Sequence, residues 1–319
     1  MFKGLGKKVL TLGVMSFTIF LAGCDEEIDA FLEGFTDEST EAESEEVNKE
    51  EVDTSNLEGM KVHFIDVGQG DAILMEYNDD GEDYNVMIDS GDWNVSDAVD
   101  YLDEQGVDEL DLLVGSHEHA DHIGQMDEII NELEVDEVWL PGNDSDSAVY
   151  ERMMDAIDEN GVEYNEPKAG EDYEVGSLDI DVVAPESLTG NLNDDSIVMN
   201  VSYGNVDFLF TGDAEEKAEQ GMLERGEEIQ ADILKAGHHG SDTSNTSDFV
   251  EEVGADVAVI QVGTDNKYSH PMQSVLDTFE NNDMEVYATK DNGNIIITTD
   301  GDTYDIEVDE EGEVTAESE

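Results

Sequence analysis

Hydrophobic and polar residues alternate, or apolar residues form short runs, over most of the chain after Met60, and both patterns are typical of β-strands. Between several of these segments, apolar residues recur three and four positions apart, which predicts helices. We expect strands at 61–66, 71–77, 84–89, 110–115, 178–184, 197–203, 206–211, 233–236, 257–262, 286–289 and 295–299. We expect helices at 95–105, 121–133, 214–225, 247–253 and 272–281. Strands mixed with helices and joined by several hairpins indicate an α+β domain, which we place at 59–308.

Residues 1–23 have the pattern of a secretory signal peptide. Three lysines precede an apolar run at 9–21, and the sequence Leu-Ala-Gly-Cys24 follows. The run is shorter than the ~20 apolar residues that a membrane span needs. Leu-Ala-Gly-Cys resembles a bacterial lipobox, which implies cleavage before Cys24, a lipid on that cysteine and tethering to the outer face of the cell membrane. The alternative is an ordinary signal peptide in which Cys24 is incidental.

Residues 24–58 are acidic and lack apolar periodicity. Positions 25–58 contain 15 acidic residues and one lysine, and like charges at this density repel one another and extend a chain. We expect this segment to be a disordered tether between the lipid anchor and the folded domain. Residues 309–319 are again acidic, and we expect a frayed tail there.

The net charge indicates the kind of surface that the folded domain presents. The 319 residues include 85 acidic and 12 basic ones, a net charge of −73, which excludes an ordinary basic nucleic-acid-binding surface. Such a charge destabilises a compact state through self-repulsion, but at ~1 M salt the Debye length is only ~3 Å. Because the acidic residues are spread along the whole chain, we expect a surface adapted to high salt; an acidic partner-binding block is the alternative. The single cysteine excludes an intramolecular disulfide and a cysteine-based zinc cluster.

Metal-binding residue types are concentrated directly after the strand expected at 110–115. Three histidines and one aspartate fall within six residues: His117, His119, Asp121 and His122. Imidazole and carboxylate groups at this density suit Zn²⁺, with Mn²⁺ or Fe as harder alternatives. On an extended segment, His117 and His119 point the same way and can share one metal. Asp121 and His122 can turn toward a second metal.

Two later strand ends offer further ligands. Asp213 follows the strand expected at 206–211, and His238 and His239 follow the strand expected at 233–236. An aspartate at a strand end is by itself more often a turn former or a helix cap, and paired histidines by themselves are ambiguous. Together with the first motif, however, these positions include five of the seven histidines in the chain, and this concentration favours a metal cluster.

These residues in this order resemble the metallo-β-lactamase superfamily of binuclear metallohydrolases, and more closely still the hydrolase domain of ComEC-type DNA-uptake proteins. Four segments resemble motifs of the ComEC-type group in the same order: 64–72, 193–198, 209–214 and 265–271. The resemblance spans about 60–297. It implies an αββα sandwich that binds two divalent metals, Zn²⁺ or Mn²⁺, at one edge of its two sheets, and hydrolysis by a water that the two ions activate.

The resemblance also implies a role for each motif residue. The implied ligands are, for the first metal, His117 and His119; for the second, Asp121, His122 and His238; and between the two, Asp213. Asp121 is also expected to orient the attacking water, and His239 is the alternative ligand to His238. Many family members have a further histidine between the first motif and the bridging aspartate. This chain has none, so Asn193 or Asp194 is expected to help hold the first metal.

Four more residues are candidates for supporting roles. His270 can donate a proton to the leaving oxygen or hold a substrate phosphate; the alternative is a loop histidine bonded to the backbone. Lys267 is a candidate phosphate clamp in a chain with few cations, and equally an ordinary surface lysine. Asp66 and Asp71 flank a Gly-Gln-Gly turn, and we expect them to support the ligands from behind or to stabilise the turn rather than to bind metal.

The leading hypothesis is a surface-tethered, metal-dependent phosphodiesterase, as a nuclease that acts on DNA outside the cell. Two metals suit in-line displacement at phosphorus, whereas the acidic surface repels a polyanion at low salt. The first alternative keeps the metals and changes the substrate to a small phosphoester, a cell-wall phosphorylcholine ester or a lactone. The second alternative is a non-catalytic metal-binding lipoprotein. The sequence implies no obligate protein partner.

Overall fold

The computed structural model describes residues 10–12, 54 and 56–317. Within these residues, two eight-stranded sheets pack face to face, and helices cover the outer face of each sheet. The predicted αββα sandwich is therefore confirmed. None of the helices in this part of the chain is long and apolar enough to cross a membrane.

The two sheets, here called sheet A and sheet B, differ in which part of the chain they use. Sheet A contains β1 (Leu10–Leu12), β8 (Glu171–Val175), β9 (Leu178–Ala184), β10 (Val198–Tyr203), β11 (Val206–Phe210), β12 (Ile233–Lys235), β13 (Val257–Ile260) and β14 (Glu285–Ala288), side by side in this order. Sheet B contains β2 (Met60–Phe64), β3 (Ala72–Asp79), β4 (Glu82–Ser90), β5 (Glu109–Val114), β6 (Glu134–Trp139), β7 (Glu163–Asn165), β15 (Ile295–Thr299) and β16 (Tyr304–Val308). Its spatial order is β16-β15-β2-β3-β4-β5-β6-β7. Strands β11 to β14 run parallel, as do β4 to β7.

Apolar side chains from the inner faces of both sheets form a central core, which includes Phe64 and Phe208. Each outer face is covered by helices: α1 (Asp97–Gln105), α2 (Met126–Glu132) and α3 (Ala148–Asn160) on sheet B, and α4 (Glu216–Arg225), α5 (Ser247–Val253) and α6 (Gln273–Asn281) on sheet A. A short helix, α7 (Thr289–Asn292), precedes β15. Because sheet B is covered on both faces, strand β3 is apolar on both: Ile73 and Met75 point into the central core, whereas Leu74 packs under the helices.

The predicted elements agree with the observed ones within two residues at each end, except for the helix expected at 121–133, which begins at Met126. Residues 119–125 instead form tight turns against the loop after β4, and Gly124 N donates to Gly91 O at 3.0 Å. A Cβ on Gly124 would lie 2.3 Å from that oxygen, so only glycine allows this close approach. The turn directs the chain back past the end of β4 before the helix starts.

The sequence analysis does not predict α3, β6, β7, β8 or β16. Helix α3 buries Val149, Met153 and Ala156, which are four and three residues apart, so its periodic signal is present in the sequence. Strands β8 and β16 alternate half-buried or buried residues with acidic ones, and their apolar content is too low to stand out from the acidic background.

The carboxyl-terminal tail differs from the expectation of fraying. Asn292 Nδ2 donates to Glu310 O and Gly312 O, both at 3.2 Å, and Glu317 N donates to Pro271 O at 3.3 Å. Residues 309–317 thus run along the domain, because groups of the domain form hydrogen bonds with part of the backbone of this tail.

Most of the predictions for the amino-terminal part of the chain concern residues outside the described ones. Cys24 and most of the tether at 24–58 fall there, so the lipid anchor and the tether stay predictions. Strand β1 lies within the predicted signal peptide and pairs with β8 at the edge of sheet A, and its removal would leave β8 as the edge strand. Thr54 Oγ1 donates to Asp302 Oδ2 at 2.7 Å, so contacts with the folded domain begin before residue 59.

Candidate metal centre

The predicted ligands meet at one edge of the sandwich, beyond the carboxyl ends of parallel strands. Strand β5 leads to His117, β11 to Asp213 and β12 to His239. The carboxyl ends of neighbouring parallel strands lie side by side, and ligand sites form at such edges. Because the parallel strands of both sheets end at the same edge, side chains that are far apart in the sequence converge there.

The carboxylate of Asp213 lies in the middle of the cluster and is 2% exposed. Its Oδ1 is 3.3 Å from His122 Nε2 and 3.6 Å from His239 Nε2. Its Oδ2 is 3.6 Å from His117 Nε2 and 3.7 Å from His238 Nε2. Each oxygen therefore faces two imidazole nitrogens, which is an arrangement suited to a carboxylate between two cations.

His119 and Asp121 lie on opposite sides of this carboxylate. His119 Nδ1 is 2.8 Å from His117 Nε2, so the two rings present nitrogen atoms to the same point. Asp121 Oδ2 is 3.7 Å from His239 Nε2, and these two residues group with His122. His119 thus lies beside His117, and Asp121 beside His122, as the spacing in the sequence predicts.

His238 and His239 lie on different sides of Asp213. Both have left-handed backbone conformations, with φ of 49° and 55°, directly after the end of β12. This geometry turns the two side chains apart. His239 is 2% exposed and takes the place beside Asp121 that we expected for His238.

His238 is more exposed, at 24% of its side chain. Its Nδ1 lies 3.1 Å from Thr243 Oγ1 and 3.4 Å from Glu215 Oε1. The expected place of His238 among the ligands of the second metal is therefore corrected: this histidine faces the oxygen of Asp213 that His117 also faces.

Groups behind the histidines determine which ring nitrogen carries the proton. His122 Nδ1 lies 2.8 Å from Asp89 Oδ2, which can only accept when ionised. Nδ1 therefore keeps its proton, and Nε2 is the nitrogen that would bind a metal beside Asp213. Ser116 Oγ donates to the same carboxylate at 2.7 Å and lies 3.1 Å from His117 Nδ1, so it accepts from His117, and that ring's Nε2 carries a lone pair toward Asp213 and His119.

His239 is oriented in the same manner by two acceptors. Its Nδ1 lies 3.0 Å from Gln261 O and 3.2 Å from Asp71 Oδ1, and both atoms can share the ring proton. Its Nε2 is thereby free for a ligand bond. Asp71 is 1% exposed, as the prediction of a supporting role requires.

The charged groups of the centre shift one another's pKa values. Burial raises the pKa of Asp213, but His122 and His239 outweigh it and hold the pKa well below the usual range. Burial lowers the pKa of His239, but Asp213 and Asp71 raise it to about 10. The pKa of His122 is likewise raised, since Asp213 and Asp89 outweigh burial. Without cations, the centre therefore holds an ionised Asp213 between protonated His122 and His239, whereas burial lowers the pKa of His117 well below its usual value, so that this ring is neutral.

The donor set fits divalent metal ions. Three buried atoms that face one another have no hydrogen-bond partner among the described residues: Asp213 Oδ1, His122 Nε2 and His239 Nε2. A buried polar atom without a partner is costly, and converging nitrogen and oxygen atoms are the ligands of Zn²⁺ or Mn²⁺. Several groups of side chains are close enough to hold a metal. Two of them share His122 and contain the predicted ligands: His117, His122 and Asp213, and Asp121, His122 and His239.

A cavity of about 320 Å³ opens onto the centre, and its walls include His119, Asp121 and His270. Tyr268 also lines it, is 49% exposed, and stacks on His270 with 5.7 Å between ring centroids. Lys267 Nζ lies 4.8 Å from the centroid of the Tyr268 ring. Burial, followed by the charges of His239 and His238, lowers the pKa of His270 to about 4.

Three predicted residues do not join the ligands. Asn193 Nδ2 reaches only Glu215 Oε1, at 3.4 Å, and Asp194 accepts from an asparagine and lines a separate surface pocket. The geometry does not support the expectation that either one helps to hold the first metal, because neither side chain contacts Asp213 or a histidine among the described residues, and Asp194 belongs to none of the groups close enough to hold a metal. Asp66 is exposed and accepts from Gly68 N at 3.2 Å, so of its two expected roles the structure gives it the one in the turn.

The sequence analysis missed Asp89, Glu215 and Lys235. Asp89 is the last residue of the strand expected at 84–89 and lies one residue before the end of the observed β4, so the argument from strand ends could have identified it. Glu215 contacts His238 from the start of α4. Lys235 is a buried lysine in β12, and no sequence pattern distinguishes it from an exposed one.

Comparisons with known proteins agree with this geometry. The family model described as the metallo-beta-lactamase superfamily matches residues 65–263. ComE operon protein 3 of Bacillus subtilis is 29% identical over 253 residues, which cover 74% of this chain and 32% of that protein. Recombination protein 2 of Haemophilus influenzae is 28% identical over 77% of this chain and 30% of that protein. The chain thus spans about a third of the length of these curated relatives.

Among solved structures, the metallo-beta-lactamase fold protein YhfI from Bacillus subtilis matches with a TM-score of 0.50 and 14% identity, over 72% of this chain and 97% of that one. At this identity the likeness supports the fold alone. The family model covers more than half of the chain, and the sequence relatives are of the ComEC type that the motifs resemble. This chain belongs to the metallo-beta-lactamase superfamily.

Proposed function

We propose that the protein is a metal-dependent phosphodiesterase with two divalent cations, and that DNA is its leading substrate. The observation that carries the proposal is the setting of Asp213, whose two oxygens each face two imidazole nitrogens at 3.3–3.7 Å beside an open cavity. When bound, a pair of divalent ions acts as a Lewis acid on phosphoryl oxygens and lowers the pKa of water toward neutrality.

Asp121 is the residue suited to orient an attacking water. Burial raises its pKa, but the contact with His239, whose Nε2 is 3.7 Å away, and the charge of His122 lower it by more, so the carboxylate is ionised at neutral pH. It lines the cavity and can accept a hydrogen bond from a water there. An ionised carboxylate at this place can therefore orient the water for attack.

His270 is better suited to hold a phosphoryl oxygen than to release a proton. With a pKa of about 4 it is neutral at neutral pH, so a neutral N–H is the group that it offers to substrate. Its Nδ1 has no hydrogen-bond partner among the described residues. Of the two roles that the sequence leaves open, phosphate binding is therefore the one we propose.

Lys267 and Tyr268 provide a cation and an aromatic face next to the cavity. Lys267 is exposed, and its pKa is raised by its contact with Tyr268 and, to a smaller extent, by the carboxylates of Asp121 and Asp92. Because its Nζ is 4.8 Å from the ring of Tyr268, which lines the cavity, Lys267 lies near enough to meet a phosphate that approaches there. An exposed aromatic ring beside a phosphate site can stack on a nucleobase without reading its sequence.

The acidic surface sets a condition for this function. A net charge of −73 repels a nucleic acid at low ionic strength, and high salt screens this repulsion. Together with the predicted lipid anchor at Cys24, this condition leads us to propose that the protein acts outside the cytoplasmic membrane in a salty medium. The name of the Haemophilus influenzae relative, recombination protein 2, agrees with DNA as the substrate.

The test is hydrolysis of bis(p-nitrophenyl) phosphate and of linear DNA by the full chain, stripped of metal and reloaded with Zn²⁺ or Mn²⁺ at ~0.1 and ~2 M salt. We expect metal-dependent cleavage of both substrates, lost in His119→Ala and Asp213→Ala. Lys267→Met should raise the KM for DNA ~10-fold, because a charged contact to phosphate is lost. Lys61→Met is its matched control, an exposed lysine at the start of β2. Absence of cleavage under every condition would refute the proposal.

A second candidate is a hydrolase of small phosphoesters, such as a cell-wall phosphorylcholine ester. The observation that favours it is the size of the cavity, about 320 Å³, on a strongly acidic surface. Cleavage of the small ester but not of DNA at any salt concentration would select this candidate.

A further inference from the structure

Lys235 is a buried cation directly behind the metal centre. It is 1% exposed at the end of β12, and its Nζ lies 2.7 Å from Asp71 Oδ2. The same Nζ donates to Ala236 O at 2.8 Å. A charged ammonium group so far from water is expensive to hold, and it would add repulsion to any cation that binds nearby. Because this cost is high, we expect the lysine to have a role at the centre.

Asp71, the partner of this lysine, is close enough to the centre to be a metal ligand itself. Its Oδ1 is 3.2 Å from His239 Nδ1 and its Oδ2 is 3.9 Å from His122 Nδ1. Asp71, Asp213 and His239 together place ligand atoms within reach of a single cation. The carboxylate thus has two possible uses, as an acceptor behind the histidines or as an additional oxygen ligand.

The ion pair joins the two sheets at this point. Asp71 immediately precedes β3 of sheet B, and its backbone N donates to Asp121 O at 3.3 Å. Lys235 belongs to sheet A, three residues before His238 and four before His239. A movement of Asp71 toward a metal would separate it from Lys235 and leave a buried ammonium group unpaired, which the low dielectric penalises.

We propose that Lys235 is a positioning residue that holds Asp71 behind His239 and keeps it from binding the second metal, and that it thereby sets the preference of that position for Zn²⁺ over Mn²⁺. Without the additional carboxylate, the position beside Asp121 and His122 is richer in nitrogen, which suits Zn²⁺; with it, the position gains a hard oxygen, which suits Mn²⁺. The proposal rests on the metal centre proposed above and not on the choice of substrate.

The test compares metal binding by the full chain and its variants, with the metal alone as the probe. Lys235→Met keeps the length of the side chain and removes its charge, which frees Asp71 to bind metal. We expect the ratio of the Kd values for Zn²⁺ and Mn²⁺ to shift toward Mn²⁺ by ~10-fold. The visible spectrum of the Co²⁺-loaded variant should weaken, as expected when the coordination number rises. Lys61→Met, which changes an exposed lysine, should leave both readouts at their wild-type values.

Removing the carboxylate as well distinguishes this role from a merely structural one. In Lys235→Met/Asp71→Asn no carboxylate is free to bind, so the metal preference and the Co²⁺ spectrum should return toward those of the wild type. Asp71→Asn alone should weaken the second ion by about 10- to 100-fold, because His239 loses an acceptor that orients it. Asp66→Asn is the matched control on the same turn, since Asp66 is exposed and does not contact a histidine there.

Several results would overturn the proposal. Wild-type metal preference and spectrum in a folded Lys235→Met variant would do so, as would a double variant that keeps the shift of the single one. If Lys235→Met does not fold, Asp71→Asn decides, because unchanged affinity for both ions would show that Asp71 does not position His239. A wild-type protein that binds no metal would instead refute the proposed function itself.

Discussion

Acidic residues are arranged in opposite ways at the metal centre and on the outer surface. At the centre, Asp71, Asp89 and Asp213 are buried, and each lies within 3.3 Å of a histidine or a lysine nitrogen. Over the whole chain, 85 acidic residues outnumber 12 basic ones, so most surface carboxylates cannot have a cationic partner. Ion pairs such as that of Arg152 with Asp127, at 2.9 Å, are exposed and contribute little.

This difference shows that the role of a carboxylate here follows from its burial and its partners, not from the acidity of the local sequence. The most acidic stretches of the sequence, such as 25–58, contain none of the site residues, whereas single aspartates at strand ends form the site. Buried charges need specific partners because the interior does not screen them, and surface charges need only salt. Changes at the two places should therefore have different consequences.

Replacement of the central carboxylate should have the largest effect. Asp213→Ala removes the group that both sides of the centre share, so we expect loss of bound metal and a fall in kcat/KM of ~1000-fold or more, since metal ions contribute several kcal/mol to such reactions. Metal analysis and ester hydrolysis measure the two effects. Asp194→Asn is the control, since its carboxylate lines a separate pocket. Full activity in Asp213→Ala would contradict the assignment.

Replacement of a supporting carboxylate should have a smaller effect. In Asp89→Asn the acceptor behind His122 becomes an amide, and the ring loses the charge that fixes its tautomer. We expect metal affinity to fall by about 10- to 100-fold while the fold is retained. Competitive titration with a metal chelator measures this affinity, and an unchanged Kd would exclude Asp89 from the support of the centre.

The affinity for metal should rise with pH. His122 and His239 have raised pKa values, about 10 for His239, so metal must displace protons at neutral pH. We expect the Kd for Zn²⁺ to fall by up to about tenfold per pH unit for each proton released, between about pH 6 and pH 9. The stability of the metal-free protein should instead fall as the pH rises. A histidine with a raised pKa stabilises the fold fully below its unfolded pKa of 6.5, and for His239 this contribution is lost as the pH rises through about 10.

Calorimetry in buffers of different ionisation enthalpy counts the released protons, and thermal unfolding in a chelator follows the stability. The variant His239→Gln provides the comparison, because it should release fewer protons and lose less stability at high pH. Zinc binding without proton release near neutral pH would contradict the charge state described for the centre.

The salt concentration should change the stability of the fold, which depends on the charged surface, much more than the metal affinity of the buried centre. Lowering salt from ~2 to ~0.1 M should reduce the unfolding temperature of the metal-loaded protein by roughly 10 °C, about 3–5 kcal/mol for a domain of this size, because the surface repulsion is then unscreened. The Kd of the buried metals should change by less than about threefold over the same range, since buried pairs are screened much less. Calorimetric scans and metal titrations at both salt concentrations test this, and a stability that does not depend on salt would contradict the salt-adapted surface.

The sequence predicted the sandwich and most of the ligand cluster, because the information for both is local. Alternating apolar residues define the strands, and the residue that follows each strand is thereby placed at a sheet edge, as for His117 and Asp213. The choice between His238 and His239 depends on two left-handed backbone conformations, which no residue type in that segment indicates. The pairing of Lys235 with Asp71 joins two sheets across 164 positions and depends on tertiary structure alone.

The number of metal ions bound per chain tests the central claim most directly. Native mass spectrometry of the full chain, reloaded with Zn²⁺ or Mn²⁺, should show two ions in the wild type, as a shared Asp213 requires. His239→Gln should retain one of them, because Asp121 and His122 then lack their third partner. A wild-type protein that binds one ion or none at saturating metal would contradict the account.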